Sequence, residues 1–355
     1  MNTAPANERA GRRSGIILAV ETSCDETSVA VVENGTIIRS NIVSSQIDTH
    51  KRYGGVVPEI ASRKHVESIT IIMEEAVRAA GVRLSELSAI AVTQGPGLVG
   101  ALLVGIVAAK TLACTLQIPL IGVHHIAGHI YANELVHSLE YPLVALVVSG
   151  GHTELVHVPS PGTFRIIGQT RDDAAGEAYD KVARAMGLPY PGGPHVDRLA
   201  NEADEGVAMP RAWLEPDSYD FSFSGLKSAV LAVLNQAKMR GDVVHPAAMS
   251  KGFQDSVVEV LTEKAVRAAK TFGARQLLLA GGVAANRGLR ETLAARCERE
   301  RLPLLVPPLS LCTDNAAMIA AAAFLKWERG ELSPLHLKAE PVLSLEAWSV
   351  GGAML

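Results

Sequence analysis

The chain has few aromatic residues, few cysteines and no excess of positive charge, and each of these features argues against a class of protein. Aromatic residues make up 4% of the 355 residues, which argues against a sandwich or propeller built on aromatic strands. The four cysteines lie far apart and form no CxxC pair, as expected for a reduced, cytoplasmic protein. No apolar stretch reaches the roughly 18 uncharged residues of a membrane span, and the Arg-containing N-terminus does not resemble a secretory signal. We therefore expect no membrane association.

The net charge of −4 excludes a dedicated nucleic-acid coat, although an enzyme with a nucleic-acid substrate remains compatible with it. A chain with this charge should bind a polyanion weakly without help from partners. The densest basic cluster is formed by Lys51, Arg52, Arg63, Lys64 and His65. On charge counts alone, such a cluster is more often an ordinary solvated face.

Apolar residues are abundant, at 48%, and they fall into alternating strand and helix patterns. The length corresponds to about two domains at roughly 150 residues each. An apolar strand, a short polar turn and a second strand occur twice, around residues 21–27 and around residues 149–153. We interpret this repetition as an internal duplication in an α/β protein.

Two glycine-rich turns follow apolar strands, one at Ser149–Gly151 and one at Ala280–Asn286. Glycines there let the backbone approach a ligand, and exposed N–H groups suit phosphate oxygens. Neither turn has the spacing of a Rossmann or P-loop motif. Each alone is more often a tight turn, whereas two in a duplicated unit favour a nucleotide site.

Three histidines follow the strand at residues 118–123. If His125 begins a helix, His125 and His129 share one face and can bind a common metal. Ile126 stands where a zinc protease of the HExxH type has its glutamate, so that general base is missing. The histidines could instead pack at a helix start, and spacing does not identify a third ligand.

Three other polar segments carry less specific signals. The sequence before the apolar helix at residues 316–325 predicts that Thr313 or Asp314 caps that helix, leaving the other side chain free. The turn at residues 191–194 predicts a helix with Pro194 in its first position. The segment at residues 220–227 alternates Phe and Ser, which suggests a strand or loop with one polar face.

Nine motifs occur in a fixed order along nearly the whole chain, from about residue 16 to about residue 330. They are Glu21-Thr-Ser-Cys-Asp-Glu-Thr27, Gln94-Gly-Pro-Gly97, His124-His-Ile-Ala-Gly-His129, Val148-Ser-Gly-Gly-His-Thr153, Gly176-Glu-Ala-Tyr-Asp-Lys181, Pro191-Gly-Gly-Pro194, Asp220-Phe-Ser-Phe-Ser-Gly-Leu-Lys227, Gly281-Gly-Val-Ala-Ala-Asn-Arg287 and Cys312-Thr-Asp-Asn315. The chain strongly resembles the tRNA N6-adenosine threonylcarbamoyltransferases, formerly described as O-sialoglycoprotein endopeptidases. Its Phe-Ser-Phe-Ser segment is similar to the bacterial and organellar branch.

The resemblance implies the actin/Hsp70/sugar-kinase (ASKHA) fold, with two duplicated α/β lobes and a nucleotide cleft between them. We expect a tail at residues 1–14, a first lobe at 15–141, a second lobe at 142–313, a helix returning to the cleft at 314–330 and a C-terminal extension at 331–355.

The resemblance also implies the site residues. His125, His129 and Asp314 would bind one divalent metal, for which two imidazoles and a carboxylate suit Fe(II), with zinc also chemically suited. Asp25 is the candidate for orienting the attacking amine or taking its proton. The substrate site would be formed by Val147, Val148, Ser149, Gly150, Gly151, Asp180, Gly193, Asp197 and Asn286. Ala284 stands where many members have Ser, which leaves Asn286 undisturbed.

By the same resemblance, the chain would move a threonylcarbamoyl group from threonylcarbamoyl-adenylate to the tRNA adenosine directly 3′ of the anticodon, releasing AMP. A shorter, degenerate paralogue and a small ATPase would be its protein partners. Two alternatives stay open, a metalloprotease and a non-catalytic nucleotide-binding scaffold. The absent HExxH glutamate opposes the first, and the intact metal ligands oppose the second.

Overall fold

The duplicated strand–turn–strand units form the starts of two sheets with the same topology. A computed structural model describes residues 14–349, so most of the predicted tail and the end of the extension fall outside the described residues. The two five-stranded sheets have the orders β3-β2-β1-β4-β5 and β10-β9-β6-β7-β8. In each, an antiparallel meander is followed by two strands parallel to its first strand. The predicted duplication and the α/β fold class are confirmed.

The strands of the first sheet are short, apolar and bounded by polar turns. They are β1 (Ile16–Glu21), β2 (Glu26–Glu33), β3 (Ile37–Ser45), β4 (Ala89–Gly95) and β5 (Leu120–His124). The strands of the second sheet are β6 (Leu143–Val148), β7 (Thr153–Ser160), β8 (Thr163–Gln169), β9 (Gln276–Ala280) and β10 (Leu304–Leu305). The central strands β1, β4, β6 and β9 are almost wholly buried, which explains their continuous apolar runs.

Helices cover both faces of the sheets. They are α1 (Ile47–His50), α2 (Pro58–Ala80), α3 (Val99–Leu116), α4 (His125–Tyr131), α5 (Ala175–Ala185), α6 (Gly192–Ala200), α7 (Ser224–Arg240), α8 (Pro246–Thr271), α9 (Arg287–Glu300) and α10 (Ala316–Glu328). Helices α4 and α10 share a core with strands of both sheets. This shared core brings the start of α4 and the segment before α10 together between the lobes.

Helix α3 differs from the buried helix that its apolar sequence predicts. Its face at Val99, Leu103 and Val107 is 48–59% exposed, while the opposite face packs on the first sheet. By length and composition, with Lys110 as its one charged residue, α3 is sufficient to span a membrane. The expectation that no apolar stretch reaches about 18 uncharged residues is not contradicted, because Lys110 lies within this helix. A single such helix is weak support for a span, because core helices also meet the criterion.

The Phe/Ser segment at residues 220–227 has a structural explanation that its sequence did not suggest. Phe221 and Phe223 are fully buried and stacked, with ring centroids 6.1 Å apart. The Asp172 carboxylate accepts hydrogen bonds from the hydroxyls of Ser222 and Ser224, at 2.5 and 2.7 Å. Helix α7 begins at Ser224, so the prediction of a strand or loop is wrong beyond that residue. The alternating residues therefore anchor the start of α7, because the Phe rings pack in the core and the Ser hydroxyls donate to Asp172.

The segment after α10 runs back across both sheets. Trp348 is buried, and its indole N–H donates to the Gly122 carbonyl on β5 at 2.9 Å. The backbone N–H of Phe164 on β8 donates to the Ser349 hydroxyl at 3.1 Å. The described part of the extension therefore contacts both lobes.

Candidate functional site

Two histidines and one aspartate converge between the lobes. Helix α4 begins at His125 directly after β5, so His125 and His129 lie one turn apart on one face. The third residue, Asp314, precedes α10. The cap of α10 is Asn315, whose side chain accepts from the Met318 N–H at 3.1 Å, so the prediction of Thr313 or Asp314 as cap is wrong. Capping by Asn315 leaves the Asp314 carboxylate directed at the histidines.

The three side chains have the geometry of a metal site. One nitrogen or oxygen of each lies within 4.8 Å of the others. Oδ1 of Asp314 is 3.2 Å from Nε2 of His129 and 3.5 Å from Nε2 of His125. His129 is fully buried, yet neither ring nitrogen has a hydrogen bond with acceptable alignment. Buried ring nitrogens without a hydrogen-bond partner, next to a carboxylate oxygen, fit the binding of a divalent cation better than a hydrogen-bonded cluster.

The electrostatics of the cluster favour a positive charge at its centre. Burial disfavours the charged form of His125, but the carboxylates of Asp314 and Glu21 override it and raise its pKa to about 9. Burial likewise opposes ionisation of Asp314, but the charge of His125 holds its pKa below the ordinary range. The carboxylates of this cluster therefore stabilise one positive charge at its centre.

Glu21, at the end of β1, is a residue of this site that sequence reasoning missed. It is 0% exposed, and its Oε2 lies 3.2 Å from Nδ1 of His125. Its oxygens also accept from the Ser23 N–H and the Thr93 hydroxyl, each at 2.5 Å. These bonds fix Nδ1 of His125 toward Glu21 and turn Nε2 toward Asp314. Metal-binding histidines are commonly oriented by such a carboxylate.

A cavity of about 600 Å³ opens in the second lobe and has the size of a nucleotide site. Five of the predicted substrate residues line it. They are Gly150, Asp180, Gly193, Asp197 and Asn286. Gly150 of the first glycine turn lines this cavity. Two residues further on, burial and then the charges of His125 and His129, which with Asp314 form what we call the metal-type cluster, lower the pKa of His152 to about 4.

The other predicted substrate residues do not line this cavity. Val147 and Val148 are 0% exposed and pack in the hydrophobic cores, so their side chains are unavailable to a ligand. Ser149 is buried and accepts from the His152 N–H at 3.1 Å, which shapes the turn. Gly151 is exposed beside Gly150, outside the cavity lining. Strand β6 thus supports the glycine turn and contributes only backbone there.

The second glycine turn reaches α9 through a single 3-10 turn, Gly282–Ala285. Asn286 caps α9 by accepting from the Leu289 N–H at 2.8 Å. Asp197 accepts from the backbone N–H groups of Arg287 and Gly288, at 3.0 and 3.3 Å. Both side chains are therefore held by the N-terminus of α9.

Gln254 on α8 is a second residue that sequence reasoning missed. Its side-chain amide donates to Asp197 Oδ1 at 3.0 Å and accepts from Asn286 Nδ2 at 2.8 Å. The Tyr179 hydroxyl donates to the same Gln254 oxygen at 3.3 Å. The residue is 4% exposed, so this amide links three cavity residues from behind the cavity wall.

Asp180 and the turn at residues 191–194 form the opposite wall. The Asp180 carboxylate accepts from the Gly192 N–H at 2.7 Å, and burial raises its pKa, with the Asp25 charge adding to the effect. The charge of Asp25, in the first lobe, thus acts on Asp180 in the second. Helix α6 begins at Gly192, so Pro194 occupies its third position, not the predicted first.

The predicted basic cluster divides in the structure. His65 is 0% exposed, accepts from the Thr27 hydroxyl at 2.8 Å and donates to the Cys24 carbonyl at 2.9 Å, so its inclusion among surface charges is wrong. Lys51 and Lys64 are paired with Asp48 and Glu67, at 2.9 and 2.7 Å. Arg52 and Arg63 form no ion pair within residues 14–349.

Two lobes, each built on a five-stranded sheet with the strand order given above, define a protein of the ASKHA class. The family model for tRNA N6-adenosine threonylcarbamoyltransferase (TsaD) matches residues 37–321. The chain therefore belongs to the TsaD family, a family of transferases.

Relatives of that name match nearly end to end. The protein from Bacillus cereus (strain ATCC 14579) is 61% identical over 94% of this chain and 98% of its own length. That from Geobacillus thermodenitrificans is 63% identical over 93% of this chain and 96% of its own length. That from Halalkalibacterium halodurans is 62% identical over 93% and 96%. The resemblance expected from the motifs is confirmed.

Solved structures of much lower identity share the fold. A phosphate- and nucleotide-bound HypF aligns with 90% of this chain and 47% of its own, at a TM-score of 0.60 and 16% identity. Component A of the (R)-2-hydroxyglutaryl-CoA dehydratase of Acidaminococcus fermentans aligns at a TM-score of 0.53 and 14% identity, covering 89% and 99%. At such identities the likeness concerns the fold alone.

Proposed function

We propose that the chain transfers a threonylcarbamoyl group from threonylcarbamoyl-adenylate to N6 of the tRNA adenosine directly 3′ of the anticodon. The observation that carries this proposal is the 600 Å³ cavity lined by Gly150 of the glycine turn, in a chain that also has the three-residue metal-type cluster. Membership of the TsaD family supplies the reaction class. An adenylate in the cavity would have its reactive carbonyl directed toward the cluster.

The transfer is an acyl substitution in which N6 of the adenine attacks the threonylcarbamoyl carbonyl carbon. A C–N bond forms, the C–O bond to the adenylate phosphate breaks, and AMP leaves with that electron pair. The amine loses one proton. Asp25, which is 8% exposed and whose charge acts on Asp180 of the cavity, is our candidate for orienting the amine and accepting this proton.

The cavity residues bind and orient the donor. The Gly150 and Gly151 backbone approaches the phosphate, where an added Cβ would meet no protein atom within 4 Å. Asp197 and Asn286, held at the start of α9, face the nucleoside. The N-terminal partial charge of α9 stabilises the Asp197 carboxylate, which accepts from the Arg287 and Gly288 N–H groups.

His125, His129 and Asp314 would hold one divalent cation, with Fe(II) preferred by this donor set and zinc also suited. When bound, such a cation supplies Lewis-acid polarisation and orientation of the adenylate oxygens. Glu21 keeps the His125 ring in the orientation that presents Nε2. We further propose that the protein works in the cytoplasm.

The proposed protein partners remain the shorter, degenerate paralogue and the small ATPase. The exposed apolar stripe of Val99, Leu103 and Val107 on α3 supports a protein contact on the first lobe. The net charge of −4 also supports assistance in holding tRNA.

Two alternatives are weaker. A metalloprotease would need a general base beside the histidine pair, and α4 has Ile126 where HExxH has glutamate. A non-catalytic scaffold would have no use for three converging metal donors. Protein cleavage by the purified chain that is lost in His125→Ala would favour the protease.

The test is a reconstituted reaction with purified protein, its partners, tRNA and threonylcarbamoyl-adenylate labelled in the threonyl group. We expect label in the adenosine next to the anticodon, identified by nucleoside analysis, and AMP in equal amount. Release of AMP with no labelled nucleoside, in the presence of the partners, would contradict the proposal.

A further inference from the structure

A short turn after α1 displays an exposed aromatic ring. Residues 51–55, Lys-Arg-Tyr-Gly-Gly, form what we call the basic turn. Tyr53 is 59% exposed, the largest exposed fraction of any aromatic side chain within residues 14–349. A single exposed ring is common on protein surfaces, so the argument for binding depends on the residues around it.

Hydrogen bonds of a buried histidine hold the two ends of the basic turn. His50, which is 0% exposed, lies 3.2 Å from the Gln46 side-chain oxygen and accepts from the Val57 N–H at 3.3 Å. Gly54 adopts the left-handed conformation, at φ +69°, that closes the turn. A rigid aromatic side chain loses little conformational freedom when a ligand packs on it.

The turn also contacts the lobe that contains the cavity. The Arg184 guanidinium on α5 donates to the Gly54 carbonyl. Asp180, one helical turn before Arg184, lines the cavity. The basic turn therefore contacts the same helix that contributes Asp180 to the cavity.

The charge around the ring has the sign that attracts phosphate. Lys51 and Arg52 directly precede the ring in sequence, and Lys51 is paired with Asp48. Arg52, next to Tyr53, is exposed and forms no ion pair within the described residues. An aromatic ring beside a free guanidinium is the combination that binds unpaired nucleotides, through base stacking and phosphate contact.

We propose that Tyr53 stacks on an unpaired base of the tRNA anticodon loop while Arg52 contacts a neighbouring phosphate. This inference rests on the proposed function, because it assumes a single-stranded RNA loop at the cleft. It adds a specific contact that holds the loop while the acceptor adenine enters the cleft. A protein partner is disfavoured by the combination of basic charge and small area, and the experiment distinguishes it.

The experiment compares Tyr53→Ala and Tyr53→Phe in the complete complex with its partners. Tyr53→Ala should raise the Kd and KM for tRNA about tenfold, the size of one lost stacking contact, with kcat and AMP affinity unchanged. Tyr53→Phe keeps the ring and should stay within about twofold of the wild type. Trp213→Ala, which removes an aromatic residue that is 40% exposed and lies outside the cavity, is the matched control.

A second variant, Arg52→Gln, tests the proposed phosphate contact separately. It should weaken tRNA binding and lower the slope of log Kd against log salt by about one, as expected for one lost phosphate contact. Unchanged tRNA affinity in Tyr53→Ala would overturn the inference. So would a Tyr53→Ala chain that loses its protein partner but binds tRNA normally.

The two proposals fail in different ways. If the wild-type complex modifies no tRNA, the proposed function fails, and the Tyr53 contact is still judged by the tRNA Kd alone. If modification proceeds and Tyr53→Ala has a normal Kd and KM for tRNA, only the present inference fails.

Discussion

The two strand–turn–strand units have the same topology and opposite chemistry. The first turn, between β1 and β2, contains Asp25, and Glu21 at the end of β1 hydrogen-bonds to a histidine of the metal-type cluster. The second turn, between β6 and β7, contains glycines, and its Gly150 lines the cavity. A duplicated scaffold thus places two turns at one cleft, and the residues within each turn decide whether it supports a cation or an anion.

The largest expected effect comes from removing a metal donor. Asp314→Ala and His129→Ala should each abolish stoichiometric metal binding at micromolar concentrations, because each residue supplies a third of the protein ligands. Elemental analysis after gel filtration measures the bound metal. His336→Ala, which removes an exposed histidine, should retain full occupancy. Full occupancy in His129→Ala would show that the metal binds elsewhere.

The second effect concerns the glycine turn. Gly150→Val should lower AMP affinity at least 100-fold and leave metal binding unchanged, because its side chain would occupy the cavity without touching protein. Calorimetric titration with AMP measures the loss. Gly225→Val, at an exposed glycine outside the cavity that also has open space, is the control. Equal AMP affinity in Gly150→Val and wild type would remove this turn from the site.

The third effect separates the orienting residue from the ligands. Glu21→Gln should weaken metal affinity about 10- to 100-fold without abolishing it, because the donors remain but His125 loses its charged partner. Competition with a chromophoric chelator gives the affinity, and the visible spectrum of the Co(II)-loaded protein should shift. Glu59→Gln, at an exposed carboxylate on α2, should change neither. An unaltered spectrum and affinity in Glu21→Gln would leave this glutamate a purely structural role.

The smallest expected effect comes from a residue behind the cavity wall. Gln254→Leu should weaken AMP binding about tenfold, because Asp197 and Asn286 each lose a hydrogen bond that fixes their orientation. Thr262→Val on the same helix removes a buried hydroxyl that has no hydrogen-bond partner, so AMP affinity should persist. Similar AMP affinities in the two variants would contradict a positioning role for Gln254.

The sequence predicts the repeated unit and the histidine pair because both depend on local patterns. The strands β1, β2, β6 and β7 are apolar runs bounded by polar turns, and His125 and His129 are one helical turn apart. Asp314 was found through family motifs alone, since nothing in its spacing relates it to the histidines. The correct cap, Asn315, depended on backbone geometry that the tripeptide does not determine.

Other elements gave weak signals for physical reasons. Strand β3 lies at a sheet edge with Ser40 as its one buried residue, and α7 buries only Leu226 and Val230, so neither has a strong apolar period. Glu21 and Gln254 act on residues 104 and 32 or more positions away in sequence. Their roles arise from tertiary contacts between elements, which no local pattern encodes.

The most direct test of the division between the two turns is a crystal structure with AMP and the native metal, with data collected at the metal absorption edge. We predict an anomalous peak about 2.0–2.2 Å from Nε2 of His125, Nε2 of His129 and an Asp314 oxygen. The AMP phosphate should lie against the backbone of Gly150, with the nucleoside between Asp180 and Asn286. A metal bound away from these three donors, or AMP bound outside the second-lobe cavity, would contradict the account.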